Sequence, residues 1–96
     1  MSFDAVICSN DQLALGCIDV LKSHGLCIPQ DVAVMGHDNW EVLVTASRPS
    51  LTSINNRLEC IGELTAQLLV DAIEGTPPQG ITYIPCRLYP RASTVG

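Results

Sequence analysis

Two short polar clusters directly follow the two most strand-like runs of this sequence. Ser9-Asn10-Asp11 comes after F-D-A-V-I-C, and His37-Asp38-Asn39 comes after V-A-V-M-G. In open parallel α/β sheets, ligands bind in the crevice beyond the carboxyl ends of the strands. If the two strands are neighbours, both clusters open onto one crevice. There, an ionised Asp38 and the amide of Asn10 could accept from and donate to the vicinal hydroxyls of a neutral polyol.

Structural roles compete with this ligand-binding interpretation. Asn10 or Asp11 could serve only as a helix N-cap, and Asp38-Asn39 could form only an Asx turn. His37, beside Asp38, is compatible with ligand contact and with a structural role, and both remain open. His24, by contrast, is expected to be a residue of a helix C-terminus.

Catalysis has little support in the sequence. Ser9 or Cys8 could form a nucleophile–base pair with His37 and Asp38, but G-x-S-x-G, a Gly-rich phosphate loop and H-E-x-x-H are all missing. The five cysteines are odd in number and lack C-x-x-C spacing, which indicates neither a disulfide framework nor a zinc site. We therefore predict no catalytic residue, no cofactor and no metal, and a reducing, cytoplasmic compartment.

The pattern of apolar residues predicts an α/β fold with a parallel sheet flanked by helices. A strand over 3–8, a helix over 11–24 and a buried strand over 32–36 make one βαβ unit. One face of that helix is expected to carry Leu13, Cys17, Val20, Leu21 and His24, widened by Leu15 and Ile18. A loop with at most a short helical turn should cover 37–50. An extended segment over 51–54, a helix with an apolar stripe over 57–74 and an extended segment over 81–89 follow.

Composition limits the possible partners. The chain has 96 residues, enough for one small domain, and 47% of them are hydrophobic. Such an apolar load suggests surface that meets a partner or a missing piece of the same protein. The net charge is −5 and the basic residues are scattered, so direct nucleic-acid binding by this chain is not expected. No apolar run reaches the length of a membrane span, and the start has no signal-peptide pattern.

Six motifs, in order along the chain, resemble the C-terminal region of LacI/GalR transcriptional regulators. They are S-N-D-Q-L-A-L-G at 9–16 (family A-N-D-x-x-A-x-G), G-L-C-I-P-Q-D-V-A-V at 25–34 (G-x-x-V-P-x-D-V-x-V), M-G-H-D-N at 35–39 (V-G-F/Y-D-D), P-S-L-T-S-I at 49–54 (P-x-L-T-T-I/V), I-G at 61–62 (L-G) and R-A-S-T at 91–94 (R-x-S-T). Residues 1–96 therefore resemble a C-terminal fragment of the effector-binding domain of such a regulator.

The resemblance implies a two-lobed, periplasmic-binding-protein-like (type I) fold with a sugar or related metabolite bound between the lobes. It places Asn10, Asp38 and Asn56 at cleft-lining positions, and His37 joins them as an effector-binding candidate. His37 stands where the family has an aromatic residue, and Asn39 replaces a second acid. The resemblance also implies a homodimer that binds operator DNA only through a headpiece absent from these residues, with no membrane partner. The alternatives are a fragment of a periplasmic sugar-binding protein of the same fold or of an α/β enzyme.

Overall fold

A computed structural model describes residues 2–95, which fall into two compact units. The first unit runs to Asn55 and resumes at Leu88, and the second comprises Asn56–Arg87. In chain order the elements are β1 (Ala5–Ile7), α1 (Asp11–Ser23), β2 (Ala33–Met35), α2 (Glu41–Ala46), β3 (Ser53–Asn55), α3 (Leu58–Ile73), β4 (Arg87–Tyr89) and α4 (Ala92–Val95).

The predicted βαβ unit is confirmed. Strands β1 and β2 are parallel neighbours, with Val6 opposite Val34 in the register. The Cys8 amide extends the ladder by donating to the Met35 carbonyl at 2.9 Å. Met35, the last residue of β2, forms a parallel bridge with Thr52, which directly precedes β3, and β3 pairs with β4. The carboxyl ends of β1 and β2 therefore lie at the same edge of the sheet.

Helix α1 has nearly the predicted bounds, but its buried face matches the predicted one only in part. As predicted, Ile18 is buried and Leu15 and Leu21 pack against the core. The only buried residues of α1 are Asp11, Ala14 and Ile18, while Leu13 and Val20 of the predicted face are 56% and 58% exposed. Alanine lets the helix approach β2 closely, and α1 packs against both β2 and α2. At its end His24 is the C-cap and Gly25 adopts a φ of 79°, as expected for a left-handed stop.

The core of the first unit is small and aliphatic. It consists of Ala14, Ile18, Val32, Val34, Val44 and Leu51. Val44 comes from α2, the short helix that fills the segment predicted to be mainly loop. The predicted strand at 32–36 is shorter, although Val32 and Val34 are buried as expected for a strand covered on both faces.

A hydrogen-bonded clasp joins two of the sequence motifs, P-S-L-T-S-I and R-A-S-T. The Ser93 hydroxyl is fully buried, donates to the Val34 carbonyl at 2.6 Å and accepts from the Thr52 amide at 2.8 Å. The Thr52 and Thr94 hydroxyls lie 2.6 Å apart, and the Arg91 amide donates to the Thr52 hydroxyl at 2.7 Å. The clasp attaches α4, which the sequence did not predict, to Val34 of β2 and to Thr52 directly before β3.

The second unit contains α3 and a long irregular segment. Helix α3 matches the predicted 57–74 to within one residue at each end, and Gly75 follows with a φ of 95°. In the part of the chain that the structure describes, none of its residues is fully buried, although Leu64 and Leu68 of its apolar stripe are half-buried. The predicted extended segment at 81–89 is a strand only over β4, because β3 offers just three residues for pairing. No helix in the described part is long and apolar enough to cross a membrane.

Candidate functional site

A small polar pocket lies where β1 and β2 end. It has a volume of about 110 Å³ and is lined by Asn10, Asp11, Gln12, Asp38 and Trp40. The structure thus brings together two of the residues predicted from the sequence, Asn10 and Asp38. The pocket lies entirely within the first unit, in the position that ligands occupy in open parallel α/β sheets.

Asn10 is held by a structural role that leaves a ligand-binding role possible. It is the N-cap of α1, and its Oδ1 accepts a hydrogen bond from the Leu13 amide at 2.8 Å. This settles which residue caps the helix, because Asp11 is the first helical residue instead. Among the described contacts the cap uses only Oδ1, so the two N–H bonds of Nδ2 can still donate to a hydroxyl.

Asp38 lies in a turn with unusual backbone geometry. Both Asp38 and Asn39 have positive φ, 102° and 54°. Aspartate and asparagine tolerate this region better than most residues. The Asp38 amide donates to the Ile54 carbonyl at 2.9 Å, which ties the turn to β3, while the residue as a whole is exposed.

Asp11 is the site residue whose position the sequence did not reveal. It is 2% exposed, and both its carboxylate oxygens accept hydrogen bonds: Oδ1 from the Ser53 hydroxyl at 2.6 Å and Oδ2 from the Trp40 amide at 2.7 Å. Gly36 explains how the carboxylate fits, since a Cβ at position 36 would overlap Oδ1. The sequence features that could have indicated a buried Asp11 are an acid at the first position of the helix and a glycine directly after the next strand.

The other two predicted effector-binding residues are not among those that line the pocket. His37 is half-buried beside the turn, and Asn56 is the half-buried first residue of the second unit. Asn39, which stands where an acid was expected, is 9% exposed, and its Oδ1 is buried with no hydrogen-bond partner in the described part of the chain. Its side chain therefore carries an acceptor that nothing in residues 2–95 satisfies.

The thiol nearest this edge is poorly suited to nucleophilic chemistry. Burial raises the pKa of Cys8, and the neighbouring Cys17 raises it further through its charge and through a hydrogen bond. Since the thiolate is the nucleophilic form, a raised pKa lowers the reactive fraction at neutral pH. In addition, no group of three His, Cys, Asp or Glu side chains within residues 2–95 is arranged to hold a metal ion.

Cys8 should therefore react slowly with an alkylating reagent. With iodoacetamide near pH 8 we expect Cys8 to be modified several-fold more slowly than the exposed Cys27 and Cys86, because both its pKa and its partial burial oppose attack. Peptide mass mapping over time measures each rate in the folded protein. Equal rates at the three cysteines would contradict this, and equal rates in denaturant provide the control.

The sequence of this chain is similar to a known protein family and to known transcriptional regulators. The sequence profile of the family described as periplasmic binding protein-like domain matches residues 2–94. The sucrose operon repressor of Escherichia coli is 41% identical over 92 residues, which are 96% of this chain and 27% of that protein. An HTH-type transcriptional regulator of Lachnoclostridium phytofermentans is 36% identical over 94 residues, 98% of this chain and 28% of that protein. The chain spans about a quarter of the length of these relatives.

Solved structures agree with the sequence matches. A complex of the transcriptional regulator CelR with cellobiose superposes with a TM-score of 0.83 at 33% identity, over 96% of this chain and 28% of that one. A dimeric lac repressor superposes with a TM-score of 0.87 at 28% identity, over 95% of this chain and 33% of that one.

Proposed function

The chain belongs to the periplasmic binding protein-like domain family, and from that membership we propose that residues 1–96 are the C-terminal part of the effector-binding domain of a LacI-family transcriptional regulator. The regulator responds to a sugar or related small metabolite. The observation that carries the proposal is the pocket in which Asn10 and Asp38 meet at the carboxyl ends of two parallel strands. The similarity to the sucrose operon repressor and to the CelR–cellobiose complex supports it.

The small volume of the pocket supports the proposal that it is one side of an effector-binding cleft and not a complete binding site. Pockets for small molecules usually measure about 300–1,000 Å³ and bury most of the ligand. A pocket of about 110 Å³ holds only part of a sugar. We therefore place the rest of the effector against parts of the regulator outside this chain, and we expect the isolated chain to bind effector weakly.

Disaccharides are the first effectors to test. One relative is named for a sucrose operon, and one structural neighbour binds cellobiose. In the proposed site the Asp38 carboxylate accepts from sugar hydroxyls and Nδ2 of Asn10 donates to them. His37 and Asn56 are proposed as further effector contacts.

Operator DNA is assigned to a headpiece outside this chain. Residues 1–96 carry a net charge of −5 with scattered basic residues, which phosphate groups would repel. We further propose that the protein is cytoplasmic and is not an enzyme, in keeping with relatives that are transcriptional regulators.

The decisive experiment couples sugar binding to DNA binding in the intact regulator. A duplex operator is selected with the purified protein, and its affinity is measured by fluorescence anisotropy with and without sucrose, cellobiose, glucose and fructose. Coupling free energies between two sites are typically about 1–3 kcal/mol, so one sugar should change operator affinity by about 5- to 150-fold. Sugar binding without any DNA binding would favour the exported binding protein, and the absence of both sugar binding and DNA binding would contradict the proposal.

Dimerisation is the second part of the proposal. Large hydrophobic side chains remain exposed on α1, α2 and α3, among them Leu13, Val42, Ile61, Leu69 and Ile73. Exposed apolar surface of this extent is typical of an interface, and the similar lac repressor is described as dimeric. Sedimentation equilibrium of the intact regulator at micromolar concentration should give the mass of a homodimer. A monomer under these conditions, with or without operator, would contradict this.

A further inference from the structure

We propose that Asp11 and Ser53 are positioning residues that hold the turn at 38–40 in the conformation that presents Asp38 to the effector. The inference rests on the proposed function and assigns a role to two buried side chains that need not touch the ligand. Together they form the Asp11–Ser53 pair, which connects the first turn of α1 with β3.

The pair binds the turn through two consecutive backbone amides. The Trp40 amide donates to Asp11 Oδ2 at 2.7 Å, and the Asn39 amide donates to the Ser53 hydroxyl at 3.0 Å. The Ser53 hydroxyl in turn donates to Asp11 Oδ1 at 2.6 Å. Water has little access to this network, because Asp11 is 2%, Ser53 0% and Asn39 9% exposed.

The turn needs such support because its backbone is strained. Asp38 and Asn39 both have positive φ, which costs free energy for residues other than glycine and persists only where the surroundings enforce it. The backbone amide after Asp38 is that of Asn39, and the amide after Asn39 is that of Trp40. These are the two amides that the Asp11–Ser53 pair binds. Without the pair, the turn could relax toward ordinary φ values, and the Asp38 carboxylate would lose its orientation.

An ionised carboxylate suits position 11 better than any neutral side chain of its size. It accepts on both oxygens, so it can satisfy the Trp40 amide and the Ser53 hydroxyl together. An asparagine at this position would place its Nδ2 amide group, which donates, opposite either the Trp40 amide or the Ser53 hydroxyl, which also donate. The location at the first residue of α1 also favours a negative charge through the helix dipole, and the missing side chain of Gly36 leaves room for it.

The first test compares two buried serines. Ser53→Ala removes the acceptor of the Asn39 amide, whereas Ser93→Ala removes an equally buried hydroxyl whose partners, Val34 and Thr52, do not belong to the turn. In the intact regulator, with folding checked by sedimentation, Ser53→Ala should weaken binding of the responding sugar by about fivefold or more. Ser93→Ala should stay within about twofold of wild type. Equal losses in both variants would overturn the positioning role.

The second test does not depend on a ligand. Hydrogen exchange followed by mass spectrometry on peptides covering 37–42 reports the amides of Asn39 and Trp40. Exchange there should be faster in Ser53→Ala and in Asp11→Asn than in wild type, and unchanged in Ser93→Ala. Unchanged exchange in Ser53→Ala would overturn the proposal, even if Asp11→Asn fails to fold.

Failure of this inference can be distinguished from failure of the proposed function. If Asp38→Asn weakens sugar binding but Ser53→Ala does not, the site is correct and the pair does not position it. If wild type binds neither the sugars nor an operator, the proposed function fails and the binding role of the pair fails with it.

Discussion

Asp38→Asn in the intact regulator is expected to weaken effector binding by about 1.5–3 kcal/mol, the range for hydrogen bonds to charged groups. This corresponds to a dissociation constant about 10- to 150-fold higher. Asparagine keeps the size of the side chain and tolerates the positive φ of 102° at this position. The substitution therefore removes the charge and one acceptor, and the backbone conformation of the turn stays allowed for the new residue. Isothermal titration calorimetry with the responding sugar measures the loss.

Asp4→Asn is the matched control for this prediction. Asp4 is exposed and directly precedes β1, so it lies at the opposite end of the strand from the pocket. It undergoes the same change of charge and should leave the affinity within about twofold of wild type. If Asp38→Asn bound the sugar as tightly as Asp4→Asn does, Asp38 would not contact the effector.

The elements that position the pocket were predictable because their signals are local. A capping cluster followed by helical periodicity placed α1 at 11–24, and the structure has it at Asp11–Ser23. A continuous apolar run marked β2 as buried, and polar clusters at both strand ends marked the edge where the pocket lies. A helix N-cap and the periodicity of apolar residues both depend on residues that are close in the sequence. Tertiary contacts do not change either of them in this part of the chain.

The buried face of α1 could not be predicted from periodicity alone. The helix carries apolar residues on more than one side, and counting them favoured the side with Leu13 and Val20. The structure selects the side with Asp11 and Ala14, because small side chains permit close contact with β2 and because the carboxylate has partners there. Such partners come from residues 29 and 42 positions away in the sequence.

Strand lengths were overpredicted for a related reason. Residues 81–89 have extended character, yet only Arg87–Tyr89 pair, because a strand exists only as far as its neighbour does. The apolar stripe of α3 was predicted as a pattern, and within residues 2–95 none of its residues is fully buried, although Leu64 and Leu68 are half-buried. The length of a strand and the burial of a helix face both depend on residues distant in the sequence, which periodicity alone does not describe.

Gly36→Ala is expected to be the most destabilising of the substitutions considered, with a cost of about 2–5 kcal/mol from overpacking and a damaged charged hydrogen bond. The new Cβ would overlap Oδ1 of Asp11 and lie 3.0 Å from Cδ2 of Leu51, which is fully buried. The backbone cannot withdraw easily, because the Gly36 amide donates to the Thr52 carbonyl at 2.9 Å. The Asp11 carboxylate must then move away from Ser53 or from Trp40.

Gly16→Ala provides the matched control, because it adds the same methyl group where, apart from the adjacent backbone of α1, no described heavy atom lies within 4 Å. Gly16 lies inside α1, where alanine should stabilise the helix by about 0.5–1 kcal/mol. The two substitutions are therefore expected to shift the urea unfolding midpoint of the intact regulator in opposite directions. A Gly36→Ala midpoint equal to that of wild type would mean that Asp11 can be displaced at no cost. In that case the carboxylate could not be what holds the turn that presents Asp38.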